Sequence, residues 1–185
     1  ATRKYGVGPK LFELGMVYVG GLEINARAAR HAQGLADRSK LDARIGIWDN
    51  GTVLITYLAV PRSEDHISHQ IGPRVPAYCS AIGKALLANL DAARLKEYLR
   101  DVQLQRHTRS TLVTREALRA DLEATRERGY SVSREEMIPG LAALGAPQAP
   151  VVVQVLLLRR RRGGRPAGEG VPARHAGVWR SVRDL

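Results

Sequence analysis

Two runs of apolar and β-branched residues, 43–48 and 53–58, flank the tetrapeptide Asp49-Asn50-Gly51-Thr52. Asn-Gly is the preferred pair for a two-residue hairpin turn, because both central positions need positive φ. The pattern predicts an antiparallel hairpin and therefore a sheet, one face of which the rest of the chain must cover. With 185 residues and 44% hydrophobic content, the chain can bury a real core as one main domain plus appendages.

Around that hairpin the remaining elements follow from periodicity and punctuation. Leu11, Leu14, Tyr18, Leu22, Ala26 and Ala29 recur every three or four residues, predicting a long helix over 11–37 with a single apolar face. Gly20-Gly21 in its middle costs ~1 kcal/mol per glycine relative to alanine, so a bend or a close helix contact is expected there. Such a helix suits a dimerising linker or an ordinary helix docked on its own domain. Residues 61–76 are polar and proline-bounded, a loop with a short edge strand. Helices are predicted at 82–89 and 92–99, the second capped by Asp91. Thr114 caps a further helix ending at Arg128, with Gly129 as a left-handed stop. Its buried face is read as Leu118 and Leu122 with Ala117, Ala120 and Ala124. A strand over 130–133, a turn over 134–140 and a small-residue strand over 141–146 follow. Strands mixed with helices in no strict βαβ rhythm indicate α+β.

Composition divides the chain at about residue 147. Eight arginines against Glu169 and Asp184 place +6 of the net charge of +11 in residues 148–185. Residues 151–158 are apolar enough for one buried strand. The Arg/Gly/Pro mixture after them has no usable period and is expected to be disordered, in a tail spanning 148–185. No run approaches the ~20 apolar residues of a membrane span. The first residues lack an export signal, and the single Cys79 precludes an internal disulfide. A soluble cytoplasmic protein is the expectation.

The candidate chemistry lies in 76–88, Pro-Ala-Tyr-Cys-Ser-Ala-Ile-Gly-Lys-Ala-Leu-Leu-Ala. It reads as a strand end, a tight turn and a helix that opens on small residues. First-turn N–H groups without intrahelical acceptors favour an anion in front of them. Alone, the segment reads by default as a plain helix start with solvated amides. Cys79 has no acid–base partner placed by motif and reads as a small buried residue. His66 and His69 have a three-residue spacing but no third ligand nearby, and read as solvated. Lys84 reads as a helix-surface lysine, although it could neutralise an anion, and Glu135-Glu136 as a solvated turn. No catalytic set, metal site or cofactor motif emerges.

Residues 76–88 also closely resemble the ligand-domain signature of the IclR family of bacterial transcriptional regulators. The order of elements continues the resemblance. Residues 5–15 are similar to the end of a wing running into a linker helix; Thr108 to Leu112 resembles the family's paired-threonine element. Gly129-Tyr130-Ser131-Val132, Glu135-Glu136, Pro139-Gly140 and 143–147 match its later signature. The resemblance covers about 3–147 and implies a GAF-like α+β effector domain, with a mixed or antiparallel sheet flanked by helices, preceded by the linker helix. It also implies that residues 1–10 are the end of a winged-helix DNA-binding domain, 11–37 the linker, and 38–147 the effector-binding domain. The helix-turn-helix lies outside this sequence, so the chain looks like a fragment or a truncated product. The Arg/Gly/Pro tail stands where the family has a Ser-bearing strand and a closing helix, as a reading-frame slip or a divergent tail would produce.

The resemblance further implies an effector carboxylate held on backbone amides at Ala81 and Ile82, flanked by Ser80 and Gly83. Ala143 stands where members binding 2-oxo acids place a cysteine. A larger or more apolar acid, or a non-functional pocket, are both compatible with that change. Arg3 and Lys4 are the only wing residues left to touch DNA. The expected partners are a small organic acid, DNA through the winged-helix domain of a full-length protein, and further copies of the chain in a homodimer or homotetramer. Three functions remain open: the effector-sensing half of a non-enzymatic regulator, an enzyme or standalone metabolite binder on the same fold, and a nucleic-acid binder acting through its arginine tail.

Overall fold

The computed structural model describes residues 6, 8–62, 73–148 and 151–158. Arg3, Lys4, His66, His69 and the segment 159–185 lie outside these residues. Among the described residues, six antiparallel strands form one sheet: β1 (Ala43–Asp49), β2 (Thr52–Ala59), β3 (Arg74–Pro76), β4 (Ser131–Arg134), β5 (Leu141–Gln148) and β6 (Val151–Leu158), in the order β3-β2-β1-β6-β5-β4. The helices described with them are α1 (Pro9–Gly20), α2 (Glu23–Ser39), α3 (Ala81–Ala88), α4 (Ala92–Asp101) and α5 (Arg115–Arg128). The class is α+β.

The hairpin forms as the sequence requires. Asn50 and Gly51 take φ of 47° and 80°, and Asp49 pairs with Thr52 at the end of the ladder. Alternation along β1 then sends Ala43, Ile45 and Ile47 to one face, where α2 covers them with Ala32, Leu35 and Ala36. On the opposite face, Trp48, Val53, Ile55 and Val75 pack with Ile82, Ala85 and Leu87 of α3 and with Leu95, Leu99, Leu118 and Leu122. The sheet is thus a central layer, with α2 behind it and α3, α4 and α5 in front.

Three expectations about the bounds and faces of the elements need correction. The single helix over 11–37 is two helices. Gly21 ends α1, Leu22 is extended (ψ 99°), and α2 begins at Glu23; two adjacent glycines leave too little helical preference to carry the chain through. Second, α5 buries Leu118, Leu122 and Thr125, whereas Ala117 and Ala120 are exposed; the i, i+4, i+7 stripe outweighs the small alanines. Third, the tail does not begin at 148. Strand β6 pairs with both β1 and β5, so the sheet continues to Leu158. Its apolar run, interrupted only by Gln154, suits a strand flanked on both sides.

Helix α3 is the pivot of the front layer, with seven of its eight residues buried. It sits so close to the preceding chain that a Cβ on Gly83 would lie 2.3 Å from Ala77 Cα. Lys84, read from sequence as a surface lysine, is 0% exposed. Its Nζ lies 2.6 Å from Glu136 Oε1 and 2.9 Å from Asp121 Oδ2. Glu136 is likewise buried, not part of a solvated turn. Burial pushes the Glu136 carboxyl above its ordinary pKa, with Lys84 pulling it down and Asp121 pushing it up. One ammonium therefore ties α3 to α5 and to the turn between β4 and β5.

Two expected outcomes follow. Gly83→Ala forces overlap with backbone that cannot yield, and costs about 3 kcal/mol or more in urea unfolding. Lys84→Met leaves Glu136 buried without its ammonium and costs about 3–5 kcal/mol near neutral pH. Without Lys84, the folded Glu136 carboxyl titrates still farther above its unfolded value. The stability it contributes is present below the ordinary carboxylate range and is lost as pH rises through the folded pKa. The Lys84→Met penalty, measured by unfolding across pH, therefore grows from acid to neutral pH.

Candidate effector site

The turn 77–80 delivers the chain from edge strand β3 into α3. Ser80 is the N-cap, extended at φ −107° and ψ 144°, and its Oγ accepts from Gly83 N–H at 3.2 Å. The same hydroxyl donates to Pro76 O at 2.6 Å. From β4, Ser133 Oγ donates to Cys79 O at 2.9 Å, and Ser131 Oγ donates to Ala81 O at 2.5 Å. Hydroxyls thus hold the carbonyls of this turn on both sides. The close approach of Ala81 to β5 also needs a glycine: a Cβ on Gly145 would meet Ala81 O at 2.6 Å.

In front of this turn lies a cavity of about 20 Å³, lined by Arg44, Ile55, Val75, Cys79, Ser80, Ala81, Ser133, Met137, Ile138, Leu141 and Ala143. That is room for about one water molecule, so any larger occupant displaces part of the wall. The wall with the least regular structure is the turn after β4, which carries Met137 and Ile138. Thr108 Oγ1 donates to Glu135 O and Thr111 Oγ1 to Glu136 O, both at 2.6 Å. The paired-threonine element thereby grips the turn that closes the cavity.

Of the five expected effector residues, the fold brings Ser80, Ala81 and Ala143 together on the cavity wall. Ile82 and Gly83 stand behind it. The Ile82 side chain is fully buried in the core, and Gly83 N–H is committed to the Ser80 cap. Ala81, as the first helical residue, has no intrahelical acceptor for its own N–H.

Sequence reading missed Arg44 and Ser133. Arg44 is 3% exposed; its Nη2 lies 3.8 Å from Asp42 Oδ2. Burial lowers its pKa and Asp42 raises it. The signal available was alternation: Arg44 falls between Ala43 and Ile45, which face α2, and so projects to the α3 side of a buried strand.

Cys79 is fully buried, and burial, with Glu136 adding to it, pushes its thiol up to about 12. A thiol so protonated is a poor nucleophile. Among the described residues, no group of three or more His, Cys, Asp or Glu is arranged to hold a metal. No described helix is long and apolar enough to cross a membrane. A larger open cleft of about 580 Å³ lies between the β1–β2 turn and α4. Its rim carries charges of both signs, Arg94 with Glu97 and Asp101.

Known proteins converge on one family. The family described as bacterial transcriptional regulator IclR C-terminal matches residues 16–157. Among curated proteins, the HTH-type transcriptional regulator XynR of Escherichia coli K12 is 33% identical over 144 residues, 78% of this chain and 57% of that protein. The HTH-type transcriptional regulator BhcR of Paracoccus denitrificans is 33% identical over 146 residues, 79% of this chain and 52% of that protein. The chain thus spans about half the length of the curated relatives it matches. Among solved structures, a transcriptional regulator from Rhodococcus sp. RHA1 superposes with a TM-score of 0.82 at 25% identity, covering 96% of this chain and 72% of that one. A double mutant of the inducer-binding domain of Acinetobacter PobR, solved with 3-hydroxybenzoic acid, superposes with a TM-score of 0.71 at 22% identity, covering 86% of this chain and 93% of that one. The relatives are named as regulators, not as enzymes. With its α+β fold and the match over 16–157, this chain belongs to the IclR family of transcriptional regulators and carries its C-terminal, effector-binding domain.

Proposed function

We propose that the chain is the ligand-sensing part of a cytoplasmic DNA-binding regulator that responds to a small organic carboxylic acid bound in front of α3. The observation that carries this reading is the cavity itself. It joins a capped helix start, a buried guanidinium and an apolar wall in a family whose C-terminal domain binds effectors. The PobR inducer domain, solved with a hydroxybenzoic acid, supports an acid as the ligand class. DNA contact then belongs to a winged-helix domain preceding residue 10, and the chain is not itself an enzyme.

Helix α1 supports self-association. Phe12 and Val17 are 72% and 73% exposed, and Leu11, Leu14, Met16 and Tyr18 are exposed beside them. A helix apolar on so many sides is not stable facing water. We assign it to contact with a second copy, as a linker helix that pairs two DNA-reading domains.

Two outcomes test the reading. Ala81→Pro removes one N–H at a position that accepts proline, after a residue already extended as proline requires. The variant is expected to keep its circular dichroism spectrum while losing acid binding in a calorimetric titration. Wild-type affinity in a folded Ala81→Pro variant would overturn the site. In sedimentation equilibrium the wild type is expected to be a dimer or tetramer, and Phe12→Glu/Val17→Glu to fall to lower mass. An unchanged mass would remove α1 from the interface.

A further inference from the structure

We propose that the open cleft between the β1–β2 turn and α4 is a second binding site, separate from the cavity in front of α3, and that it takes an aromatic α-amino acid as its zwitterion. The cleft measures about 580 Å³, within the ~300–1,000 Å³ of small-molecule sites. It shares no lining residue with the cavity in front of α3, so the inference does not rest on the effector reading.

The floor of the cleft is aromatic. Trp48 of β1 and Tyr98 of α4 meet edge to face, with ring centroids 5.5 Å apart and planes at 67°. Leu90 and Val102 extend the apolar surface beside them. An edge-to-face pair engages only the edge of one ring, so that ring keeps both π-faces clear of its partner and can stack a third. Both rings pack on the front core, and the Tyr98 hydroxyl is buried. The opposite wall is equally fixed: Asn50 and Gly51 form the positive-φ turn, and Arg74 pairs with Asp49 at 2.5 Å. A site whose walls are set before the ligand arrives loses little entropy on binding.

The rim supplies one charge of each sign. Arg94 and Glu97 lie three apart on α4 and therefore share a face. Asp101, farther along, is taken up by Arg100, which donates to its two carboxylate oxygens at 2.6 and 2.8 Å. Among the described residues, neither Arg94 nor Glu97 closes an ion pair. On a bare surface two such side chains read as solvated; here they flank a recessed pair of rings. A simple acid would gain at Arg94 and be opposed at Glu97, and a simple amine the reverse. A ligand with carboxylate and ammonium on one carbon satisfies both, and an aromatic side chain on that carbon reaches the floor.

The test is calorimetric titration of the whole chain with L-phenylalanine and three analogues that each lack one feature. Phenylalaninamide lacks the carboxylate, N-acetylphenylalanine the ammonium, and alanine the ring. Phenylalanine is expected to bind most tightly. The amide and the N-acetyl compound are expected to be about three- to fivefold weaker, since exposed ion pairs contribute little. Alanine is expected to be at least about tenfold weaker, having no ring to bury. Arg94→Gln is expected to abolish the preference over the amide and keep the preference over the N-acetyl compound, and Glu97→Gln to do the reverse. Both side chains are exposed, so neither substitution threatens the fold, and a structural role would not produce that exchange of preferences.

Phenylalanine binding that is unchanged in Ala81→Pro supports the separate site. Binding that is lost in Ala81→Pro and intact in Arg94→Gln/Glu97→Gln belongs to the cavity in front of α3; it overturns the second site and leaves the proposed function standing. Binding that keeps both preferences in the double variant overturns the role of the rim. A folded wild type that binds none of the four compounds overturns the proposal. If its mass in sedimentation equilibrium then falls on Arg94→Gln/Glu97→Gln, the cleft is an interface between copies of the chain instead.

Discussion

A lysine ammonium at the centre of the front layer is the interaction on which the arrangement of the other elements depends. Helix α3 buries Ile82, Ala85 and Leu87 against the sheet and α5, each large side chain worth about 1.5–3 kcal/mol on transfer from water. Lys84 goes into the same interior, where an unmatched charge would cost several kcal/mol. The charge is met from two directions, by Asp121 of α5 and by Glu136 of the turn after β4. Against a well-packed apolar trio such a network gains little net stability. It does penalise any packing in which one partner is displaced. Residues 84, 121 and 136 are thereby held in one geometry that hydrophobic burial alone would leave free to slide.

The cavity is a consequence of that geometry. With α3 held by Lys84, its first turn is pressed between Ala77 and β5 at distances that only glycine tolerates at 83 and 145. The serines of β4 then reach the carbonyls of Cys79 and Ala81. This side of the cavity is rigid because its polar atoms are bonded to main chain. The opposite side is a turn without ladder partners, fastened by two threonine hydroxyls and by the same Glu136 that meets Lys84. Glu136 therefore serves both halves: its carboxylate locates α3 and its carbonyl is the anchor for Thr111.

Much of this was legible in the residues, and the reason differs by element. The hairpin, the Asp91 and Thr114 caps and the left-handed stop at Gly129 were readable because each is set by local chemistry within four residues. Strand β6 was half readable: its apolar run was visible, but its place between β1 and β5 depends on β1, more than a hundred residues away in the chain. Lys84, Glu136 and Arg44 were misread or missed for a single reason. A charged residue in a short segment reads as solvated unless its distant counter-charge is known, and 84 and 136 are 52 residues apart. The candidate site followed the same division. The positions around Ser80 could be picked out as a turn and helix start, whereas Arg44 and Ser133 reach the cavity only through the sheet.

The back of the sheet carries one more constraint of this long-range kind. Strand β2 has one residue more than β1 between the pairs Ile45–Tyr57 and Gly46–Ile55. The extra residue is Thr56, whose Oγ1 donates to Asn25 Oδ1 at 2.8 Å while Asn25 Nδ2 donates to Thr56 O at 3.3 Å. The same amide donates to Val19 O, in the last turn of α1, at 3.2 Å. A bulge increases local twist and gives a strand an unpaired residue to spend elsewhere; here it is spent on the break between α1 and α2. Ile55, the neighbour of Thr56, is a wall of the cavity. One buried asparagine and one bulge thus separate the cavity from the exposed apolar helix α1. A polar pair at this depth is stable only with both partners in place. The orientation of α1 is therefore bonded to the strand that the cavity's occupant would touch, and is not left to the two glycines that interrupt the helix.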